Sequence, residues 1–554
     1  MSEMILPGVY IEVRPEALIV PGRVSVNNVG VVGTASRGPV NTPTLLASYA
    51  QAREVFGAYD AWDKDNPNVL SLVRALELAF GFGATTVYAL RIGDEPASGS
   101  IVLASAGGDN VTISANSPGT WGNGLTVNVW NADATSFIEG ETHPGGAAIK
   151  LDYPVAPSAR NRVTVYDSAT RRTRTFRILY SAGPAPAAGE VRIGADGTLE
   201  FFADDVPDAA DDEVVFSYAV PAANSAKVTL KLGTTQEVYI AASGNDLARD
   251  INANSAFATA VADVANGIEP PTAFADAKDF RPLAGGSNGE AVSANDYKVG
   301  LDQLLDVNVH IMVAAGQSAD VIGDELAQHV AAASNDVNKR ERIGIVGSAL
   351  GDSFDGIRAH SLNSDRIVFV APGIIVNDAV SGQDVTLPGA YAAAAIAGLM
   401  ASYDPHVSLT NKPVPVGGLE KKFSNPELSA LLDEGRVLLL QEKLGFKVVR
   451  GVTTSTNSAW KQITTRRIVD YAKIGVRKAA DPYIGMLNND RVRGALRATL
   501  NSFLAEMVED EMLIGYDLTV SATREQELQG ICAVTMVVRP VFSIDFIKVT
   551  MFLQ

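Results

Sequence analysis

The feature that most constrains this chain is a strand-like segment at each of its ends. At the carboxyl end, an apolar run from Ile531 to Leu553 follows the best-formed helical pattern, Asn489 to about Glu511, and almost nothing comes after it. At the amino end, the run Val9–Val13 alternates apolar with aromatic and acidic residues. A strand at the end of a chain has a free edge unless another segment pairs with it. We therefore predict a subunit that adds strands to the sheets of its neighbours.

The carboxyl-terminal run changes its apolar parity near its end. Apolar side chains occupy first even and then odd positions, and the change falls at Phe546-Ile547. Because successive side chains of a strand point to opposite faces, a shift of one residue turns the other face inward. We predict either a bulge at Phe546-Ile547 or a strand that is buried on both faces.

Length, charge and cysteine content narrow the classes of function. A chain of 554 residues is long enough for several domains. Its net charge of -18 argues against a nucleic-acid binder, because neutralising phosphates requires a basic face. An acidic surface more commonly keeps an abundant protein soluble. The single cysteine, Cys532, excludes an internal disulfide framework, and its apolar surroundings predict a buried side chain.

No targeting segment is predicted. The first residues lack the basic and long apolar regions of a signal peptide. The most apolar helical run, Tyr391 to Tyr403, is shorter than the roughly 18–20 apolar residues that span a bilayer. We predict a buried, alanine-rich helix there. The protein is expected to be made in the cytoplasm and to stay soluble, or to leave by cell lysis.

Short apolar strands that alternate with amphipathic helices predict an α/β core domain in two pieces. The pattern covers residues 21–95, stops, and returns over residues 283–415. Strands such as Val309–Val313 and Ile367–Val370 are apolar throughout, which is typical of a mainly parallel sheet covered on both faces. We predict that the two pieces form one domain.

The remaining segments are predicted to be an arm, an insertion and a final domain. Residues 1–20 are the arm, and residues 96–282 are a β-rich insertion. Within the insertion, residues 157–221 are predicted to be an additional β-sandwich-like module with strands at Arg162–Tyr166, Arg174–Tyr180, Thr198–Phe202 and Glu213–Val220. Residues 416–554 are predicted to be an α+β domain with a hairpin around Leu444-Gly445 and helices at Arg466–Ala480 and Arg491–Glu511. The predicted fold class is therefore multidomain, with α/β and α+β parts.

No residue pattern typical of catalysis or of a cofactor site occurs. A phosphate-binding G-x-x-x-x-G-K-[ST] loop and a G-x-S-x-G elbow are absent. Gly30-x-x-Gly33 and Gly81-x-Gly83 lack the rest of a dinucleotide fingerprint, and the acidic run Asp204–Glu213 lacks calcium-loop spacing. Metal-ligand spacing is also missing among the histidines, which are His143, His310, His329, His360 and His406. We predict no enzyme, no cofactor and no metal site.

The helical region of the last domain has a marked charge pattern. The segment from Lys443 to Arg497 contains about a dozen basic residues and only a few acidic ones. An acidic cluster follows from Glu506 to Glu511. For single residues, solvation of a helix surface is the simpler interpretation. A basic face beside an acidic face is also what head-to-tail assembly uses. The candidate charges for such contacts are Arg466, Arg467, Lys473, Arg477, Lys478, Arg491, Glu506 and Glu509.

A series of short stretches occurs in an order found in one protein family. They are Pro7–Val13, Val29–Gly33, Arg37–Pro39, Phe56-Gly57, Ser117–Gly124, Leu283–Gly289 and Asp296-Tyr297. The most specific is Ser117–Gly124, which is similar to a Pro-Gly-x-Trp-Gly-Asn signature. In these stretches the chain resembles the tail sheath proteins of contractile-tailed bacteriophages. The resemblance covers nearly the whole chain except about residues 160–220.

The resemblance implies a structural protein rather than an enzyme. Sheath subunits form stacked six-fold rings around a rigid tube, assemble on a baseplate in a metastable extended state, and contract to drive the tube into the target cell. The implied partners are other copies of the chain, the tail tube protein, and the baseplate and tail terminator proteins, with no direct nucleic-acid contact and no membrane insertion. The implied location is the tail of a virion assembled in the host cytoplasm.

The resemblance also implies which parts of the chain make contacts. It places the carboxyl-terminal domain inside against the tube and the inserted domains outside. From the charge of the helices Arg466–Ala480 and Arg491–Glu511, we expect them to face the tube. The residues implied to exchange strands between subunits are Val9, Tyr10, Ile11, Val13, Phe542, Ile544, Phe546, Ile547, Val549 and Met551.

Three other functions stay open from the sequence. The sheath of a phage-tail-like injection particle or bacteriocin would have the same subunit design, and a packaged genome would exclude it. A nucleotide-binding α/β enzyme is disfavoured by the missing phosphate loop. A secreted β-rich adhesin is disfavoured by the missing signal peptide.

Overall fold

The computed structural model describes residues 25–66, 69–180, 183–194 and 196–553. These residues divide into two compact units. The inserted unit is Glu95–Gly289, and the main unit consists of the described residues before and after it.

The elements are numbered in chain order. The helices are α1 (Tyr49–Phe56), α2 (Leu72–Gly81), α3 (Gly244–Asn254), α4 (Ala294–Gln303), α5 (Ala319–Ala333), α6 (Phe354–Arg358), α7 (Gly389–Ala401), α8 (Asn425–Asp433), α9 (Ile463–Ala480), α10 (Asp490–Glu509) and α11 (Arg524–Leu528). The strands are β1 (Val29–Thr34), β2 (Thr44–Leu46), β3 (Val87–Ile92), β4 (Ser100–Ala104), β5 (Asp109–Ala115), β6 (Leu125–Asn131), β7 (Ser136–Pro144), β8 (Arg162–Asp167), β9 (Arg172–Leu179), β10 (Glu190–Ile193), β11 (Leu199–Phe201), β12 (Asp212–Val220), β13 (Ala226–Leu232), β14 (Thr235–Ala241), β15 (Ala258–Ala262), β16 (Arg281–Pro282), β17 (Ile311–Ser318), β18 (Ile343–Gly347), β19 (Ile367–Ala371), β20 (Ile374–Asp378), β21 (Gln383–Leu387), β22 (Gly418–Leu419), β23 (Leu438–Glu442), β24 (Phe446–Val448), β25 (Leu513–Ser521) and β26 (Ala533–Pro540).

The main unit is organised around an eight-stranded sheet with the order β2-β3-β1-β17-β18-β19-β23-β24. The inner strands, from β3 to β23, pair in parallel, and the outer strands β2 and β24 pair antiparallel. Strands β1 and β17 are neighbours, with Val29 opposite Ile311. The two segments predicted at residues 21–95 and 283–415 therefore supply adjoining strands of one sheet.

Both faces of this sheet are covered by helices. Val31 and Val313 belong to the core on the side of α2 and α7, whereas Val32 and Ala314 belong to the core on the side of α4, α5 and α8. A strand that is buried on both sides needs apolar residues at every position. This explains why the central strands are continuous apolar runs rather than alternating ones.

Helix α7 is buried on every side. Each of its residues, Gly389 to Ala401, lies in the interior between the sheet and α2. The predicted buried, alanine-rich helix at Tyr391–Tyr403 is thus confirmed with a shift of two residues. Among the residues described, no helix combines the length and the apolar character needed to cross a bilayer.

The sheet continues beyond the predicted domain boundary at residue 416. Strand β23 pairs in parallel with β19, where Leu438 lies opposite Val370. Strand β24 then completes the hairpin predicted around Leu444-Gly445. Just after the predicted boundary, the short strand β22 pairs with β20. The predicted boundary therefore falls inside the α/β fold, which continues to Val448.

The inserted unit contains three sheets with two hydrophobic cores. A four-stranded sheet (β14-β13-β6-β16) and a three-stranded sheet (β15-β5-β4) share one core with α3. The Pro-Gly-x-Trp-Gly-Asn stretch lies in this part and begins a short 3-10 helix, with Gly119 at a φ of 141° that favours glycine. The side-chain amide of Asn123 donates to the carbonyl oxygen of Gly286 and accepts from its N–H, both at 2.8 Å. Two of the family-like stretches are therefore joined directly.

The additional module is one six-stranded sheet, with the order β11-β10-β9-β8-β12-β7, rather than a sandwich of two sheets. Its four predicted strands correspond to β8, β9, β11 and β12 within two residues at each end. Strand β7 begins at Ser136, well before the predicted start at residue 157, and pairs along β12. Its apolar residues, Phe137 and Ile138, are adjacent and are followed by mostly polar ones, so the sequence shows no apolar alternation that would predict a strand.

At the carboxyl end, α9 and α10 pack against the β25–β26 hairpin. Ile468 of α9 and Phe503 and Leu504 of α10 share a core with the hairpin. The side chain of Asn489 caps α10 by accepting from the N–H of Val492. Both helices lie where the sequence predicts them. Cys532, predicted to be buried, is only partly buried because it precedes β26 at the margin of the hairpin.

Candidate assembly site

The segment after β26 exposes an unusual number of large apolar side chains. Strand β26 ends at Pro540. Residues 542–553 pair with no other strand in the part of the chain that the structure describes. Their apolar side chains are all more than half exposed, namely those of Phe542, Ile544, Phe546, Ile547, Val549, Met551, Phe552 and Leu553. We call residues 542–553 the tail.

The predictions for this segment are wrong within a single subunit. The predicted strand at Ile531–Leu553 is only β26, and the tail has neither a bulge at Phe546-Ile547 nor two buried faces. Alternating apolar residues favour an extended backbone, but a ladder also needs a neighbouring strand to receive its hydrogen bonds. The described part of this subunit offers none along the tail.

One buried carboxylate ties the tail to its own subunit. The Asp545 side chain is 6% exposed, and its Oδ2 accepts from Arg450 Nε at 2.8 Å and from Gln462 Nε2 at 3.0 Å. Its Oδ1 accepts from the hydroxyl of Thr410 at 3.2 Å. The Phe546 ring lies 5.1 Å from the Arg450 guanidinium. Sequence analysis missed Asp545, although the polar positions 543 and 545 between apolar ones were a signal for a polar inner face.

In the described part of the chain, the β25–β26 hairpin is a sheet of two strands. One face packs on α9 and α10 through residues such as Leu518 and Met536. The other face exposes Val537, and Ile514 near the start of β25 is also exposed. Within the described residues, each strand has one unpaired edge. Two-stranded sheets are marginally stable on their own, and additional strands commonly complete them.

Arg466 and Arg467 were predicted to face a partner, and the structure contradicts this. Both side chains are buried. Arg466 donates to Asp365 and to Asp470, each at 2.8 Å. Arg467 donates to Asn27 Oδ1 at 2.7 Å, and burial lowers its pKa to about 10. Helix α9 lies beside the segments that precede β18 and β19, and its first basic residues are buried there.

Lys473 and Arg477, two further candidates, are half-buried and both contact one acid, which lies two residues before β18. Both contact the carboxylate of Glu341, which is fully buried, and Lys473 Nζ lies 2.9 Å from Glu341 Oε1. Burial alone would raise the pKa of Glu341, but hydrogen bonds from Arg477 and Lys473 outweigh this and hold the pKa below its usual range. These charges also join α9 to the segment that precedes β18.

The remaining candidate charges lie at the surface of the subunit. Lys478, Arg491, Glu506 and Glu509 are all exposed. An open cavity of about 430 Å³ brings Glu506 together with two further acids and with the first described residues, and its lining includes Ser25, Asn27, Asp404, Glu506, Asp510 and Met512. The amino-terminal candidates Val9, Tyr10, Ile11 and Val13 lie outside the described residues.

A group of potential metal ligands occurs in the inserted unit. Ligand atoms of Glu141, His143 and Asp152 lie within 4.8 Å of one another. The Glu141 carboxylate is already engaged, by His143 Nε2 at 2.6 Å, by the N–H of Asp152 at 2.9 Å, and by the hydroxyl of Tyr218. The group is explained by these internal hydrogen bonds.

Comparison with known families matches the last 265 residues to two consecutive domains. Residues 290–454 match the phage tail sheath protein central domain, and residues 455–554 match the phage tail sheath C-terminal domain. The division between them follows the hairpin β23–β24, in agreement with the extent of the sheet described above. The tail and the β25–β26 hairpin lie in the second of these domains.

Individual relatives agree with the family match. The tail sheath protein of Mycobacterium phage Bxz1 is 27% identical over 279 residues, which are 47% of this chain and 46% of that protein. The chain thus matches only about half the length of this relative. Two solved structures share the fold over 96% of this chain: the sheath tail protein from Listeria innocua (TM-score 0.60, 14% identity, 95% of that chain) and that from Desulfitobacterium hafniense (TM-score 0.58, 12% identity, 100% of that chain).

Proposed function

We propose that this chain belongs to the phage tail sheath family and is the subunit of a contractile tail sheath, as its matches to two tail sheath domains and to a tail sheath protein support. In this proposal, subunits polymerise as stacked six-fold rings around the tail tube in an extended, metastable state. The sheath then contracts and drives the tube through the host cell envelope. The chain acts as a structural component of the virion tail and needs no cofactor.

The observation that supports this proposal is the combination of an unpaired apolar tail with an incomplete sheet. The tail exposes side chains such as Phe542 and Ile547, and the β25–β26 hairpin has open edges. The tail of one copy can therefore pair with an edge of the β25–β26 hairpin of another copy, as in β-strand addition. We propose that the exchanged strands come from within the tail and from the amino-terminal residues Val9–Val13.

Strand exchange suits a polymer that changes shape. Backbone hydrogen bonds between exchanged strands do not depend on the side-chain contacts between rings, so they persist while those contacts are rearranged. Free energy stored at assembly is released when many identical interfaces change together, and each subunit moves as a rigid element. Lys473 and Arg477 favour such rigidity, because they fix α9 to the buried Glu341, two residues before β18.

We propose further that the carboxyl-terminal domain faces the tube and that the inserted unit faces outward. The candidate charges that lie exposed at the surface of the subunit, and that we propose contact the tube or the next ring, are those of Lys478, Arg491, Glu506 and Glu509. The partners in this proposal are other copies of this chain, the tail tube protein, and the baseplate and tail terminator proteins.

Electron microscopy of the purified chain at rising concentration tests the proposal. We expect hollow, striated cylinders above a threshold concentration. The side chains of residues 546–553 are exposed, so deletion of residues 546–554 should change the free energy of unfolding by less than about 0.5 kcal/mol. It should nevertheless abolish the cylinders.

A matched control distinguishes strand exchange from nonspecific hydrophobic association. Val264 of the inserted unit is an equally exposed apolar residue, and Val264→Ser should leave assembly unchanged. Monomers or small closed oligomers of the full chain at every concentration would contradict the proposed function. Cylinders formed by the truncated chain would contradict the role of the tail.

A further inference from the structure

We propose that Asp545 is a positioning residue that divides the tail into a retained part and a donated part. Residues 541–545 stay on their own subunit, and only residues 546–553 pass to a second copy of this chain. This inference rests on the proposed function, because it states where strand exchange begins.

The first argument is the burial of the Asp545 carboxylate. Its side chain is 6% exposed and that of its partner Arg450 is 17% exposed. Removing a buried charge from its partner leaves an uncompensated charge in a poorly solvated place, which is strongly unfavourable. The ion pair therefore opposes release of the tail at this point, whereas the exposed apolar residues around it do not.

The second argument is the origin of the three side chains that hold Asp545. Thr410 follows α7, Arg450 follows β24, and Gln462 is the residue directly before α9. These segments meet where the main sheet is joined to the carboxyl-terminal helices. Asp545 is thus held by three segments that come from separate parts of the subunit.

The third argument is the change of contacts on either side of Asp545. Before it, the N–H of Val541 donates to the carbonyl oxygen of Met512 at 3.1 Å, so the retained part is held at both ends. After it, the side chains from Ile547 to Leu553 are exposed. Eight extended residues reach about 26 Å at ~3.3 Å per residue, which is enough for one strand of ordinary length. The β25–β26 hairpin of a second copy is the acceptor that fits this strand.

The test compares the full chain with Asp545→Asn and with a control, Asp355→Asn. Asp355 is an exposed acid of the main unit, outside the tail and the acceptor hairpin, and it is paired with Arg358 at 3.1 Å. Hydrogen exchange of residues 541–545 in dilute monomer measures the anchor directly, and light scattering gives the threshold concentration for assembly. For Asp545→Asn we expect about tenfold faster exchange and an approximately tenfold higher threshold, because the retained part no longer holds the donated part in position. The control should match the wild type in both.

A reciprocal variant guards against a simple folding defect. Asp545→Arg combined with Arg450→Asp reverses the ion pair and should recover part of the lost protection and of the assembly. Wild-type exchange and wild-type threshold in Asp545→Asn would overturn the anchor while leaving the proposed function intact. A wild-type chain that never assembles would overturn the proposed function, and the donation of residues 546–553 with it, whatever the exchange data show.

Discussion

Asp470 is the centre of the ion pairs that hold α9 beside the start of β19. Its carboxylate accepts two hydrogen bonds from Arg366, at 2.8 and 2.9 Å, and one from Arg466 at 2.8 Å. All three residues are buried. A buried ion pair matters most when one partner is lost, because the other charge stays behind without compensation.

Asp470→Ala should therefore lower the free energy of unfolding by about 3–5 kcal/mol. The matched control is Asp490→Ala, because Asp490 also pairs with an arginine, Arg493, but its side chain is 99% exposed. The control should cost less than about 1 kcal/mol. Chemical denaturation followed by tryptophan fluorescence measures both, since Trp460 lies 4.4 Å from the Arg466 guanidinium. Equal losses in the two variants would contradict the assigned role of Asp470.

His310 should make the fold sensitive to acid. Burial, together with the charges of Arg342 and Arg467, lowers its pKa from 6.5 to about 4. Because the folded state binds the proton less tightly than the unfolded state, the stability contribution is complete above pH 6.5 and is lost as pH falls towards 4. The loss from this residue amounts to at most about 3 kcal/mol.

Replacing His310 by asparagine, which keeps an acceptor for the N–H of Asn28, should flatten this pH dependence. Unfolding measured at several pH values between 6.5 and 4 should show a slope smaller by up to about 1.4 kcal/mol per pH unit. A residual slope is expected from His329, whose pKa burial and Arg342 lower to about 3. An unchanged slope in the variant would show that His310 is not the group responsible.

The contact between α9 and α10 depends on a glycine. A Cβ atom on Gly475 would lie 1.9 Å from the Phe503 ring, and that ring is buried in the core of the hairpin domain. A Cβ atom on Gly494 of α10 would have no neighbouring atom of this kind within 4 Å. The two glycines differ in packing but not in helix propensity, so they form a natural pair for comparison.

Gly475→Ala should destabilise the protein by about 1–3 kcal/mol, because overpacking outweighs the better helix propensity of alanine. Gly494→Ala should stabilise it by about 0.5–1 kcal/mol. Thermal unfolding of the two variants beside the wild type gives the sign of each change. Stabilisation by both substitutions would mean that α9 and α10 do not pack as closely as described.

Elements with a strong local pattern could be predicted from the sequence, and elements that depend on a partner could not. Helices α9 and α10 and the parallel strands of the main sheet follow from apolar spacing alone. Strand β7 has no such pattern, and its extended backbone depends instead on the hydrogen-bonded ladder with β12. The tail shows the reverse case, in which the pattern predicts a strand and the single subunit provides no neighbour.

The candidate site was predicted less well than the fold, for a physical reason. The sequence shows that Arg466 and Lys478 are both basic, but only tertiary packing buries the first and exposes the second. It likewise shows Asp545 as one acid in an apolar run, without the three donors that come from distant parts of the chain. Charge is a local property of the sequence, whereas the pairing of charges depends on the whole fold.

At the scale of the whole molecule, residues 95–289 are an insertion, and the residues that flank it on either side lie next to each other. The chain leaves the main unit at Asp94 and re-enters it at Glu290, and the N–H of Glu290 donates to the carbonyl oxygen of Asp94 at 2.9 Å. A short connection can therefore replace the whole insertion without stretching the backbone. The eight described strands of the main sheet all come from the main unit.

Replacement of residues 95–289 by a short Gly-Ser linker should give a folded main unit that still assembles into cylinders. The loop-closure cost of a few residues is small, since loop entropy varies slowly with length. Circular dichroism and electron microscopy of this variant check folding and assembly in one preparation. A folded variant that stays monomeric would assign the inserted unit a part in assembly.

The proposed strand exchange also determines what kind of polymer this subunit can build. A joint in which one copy gives a strand and the next receives it is directional, so a stack of such joints ends in two chemically different surfaces. One terminal layer keeps vacant receptor edges, and the other keeps unused strands. Such a joint does not limit the number of subunits, so a factor other than this chain must set the length of the filament. Whatever stops growth must bind one kind of terminus and not the other.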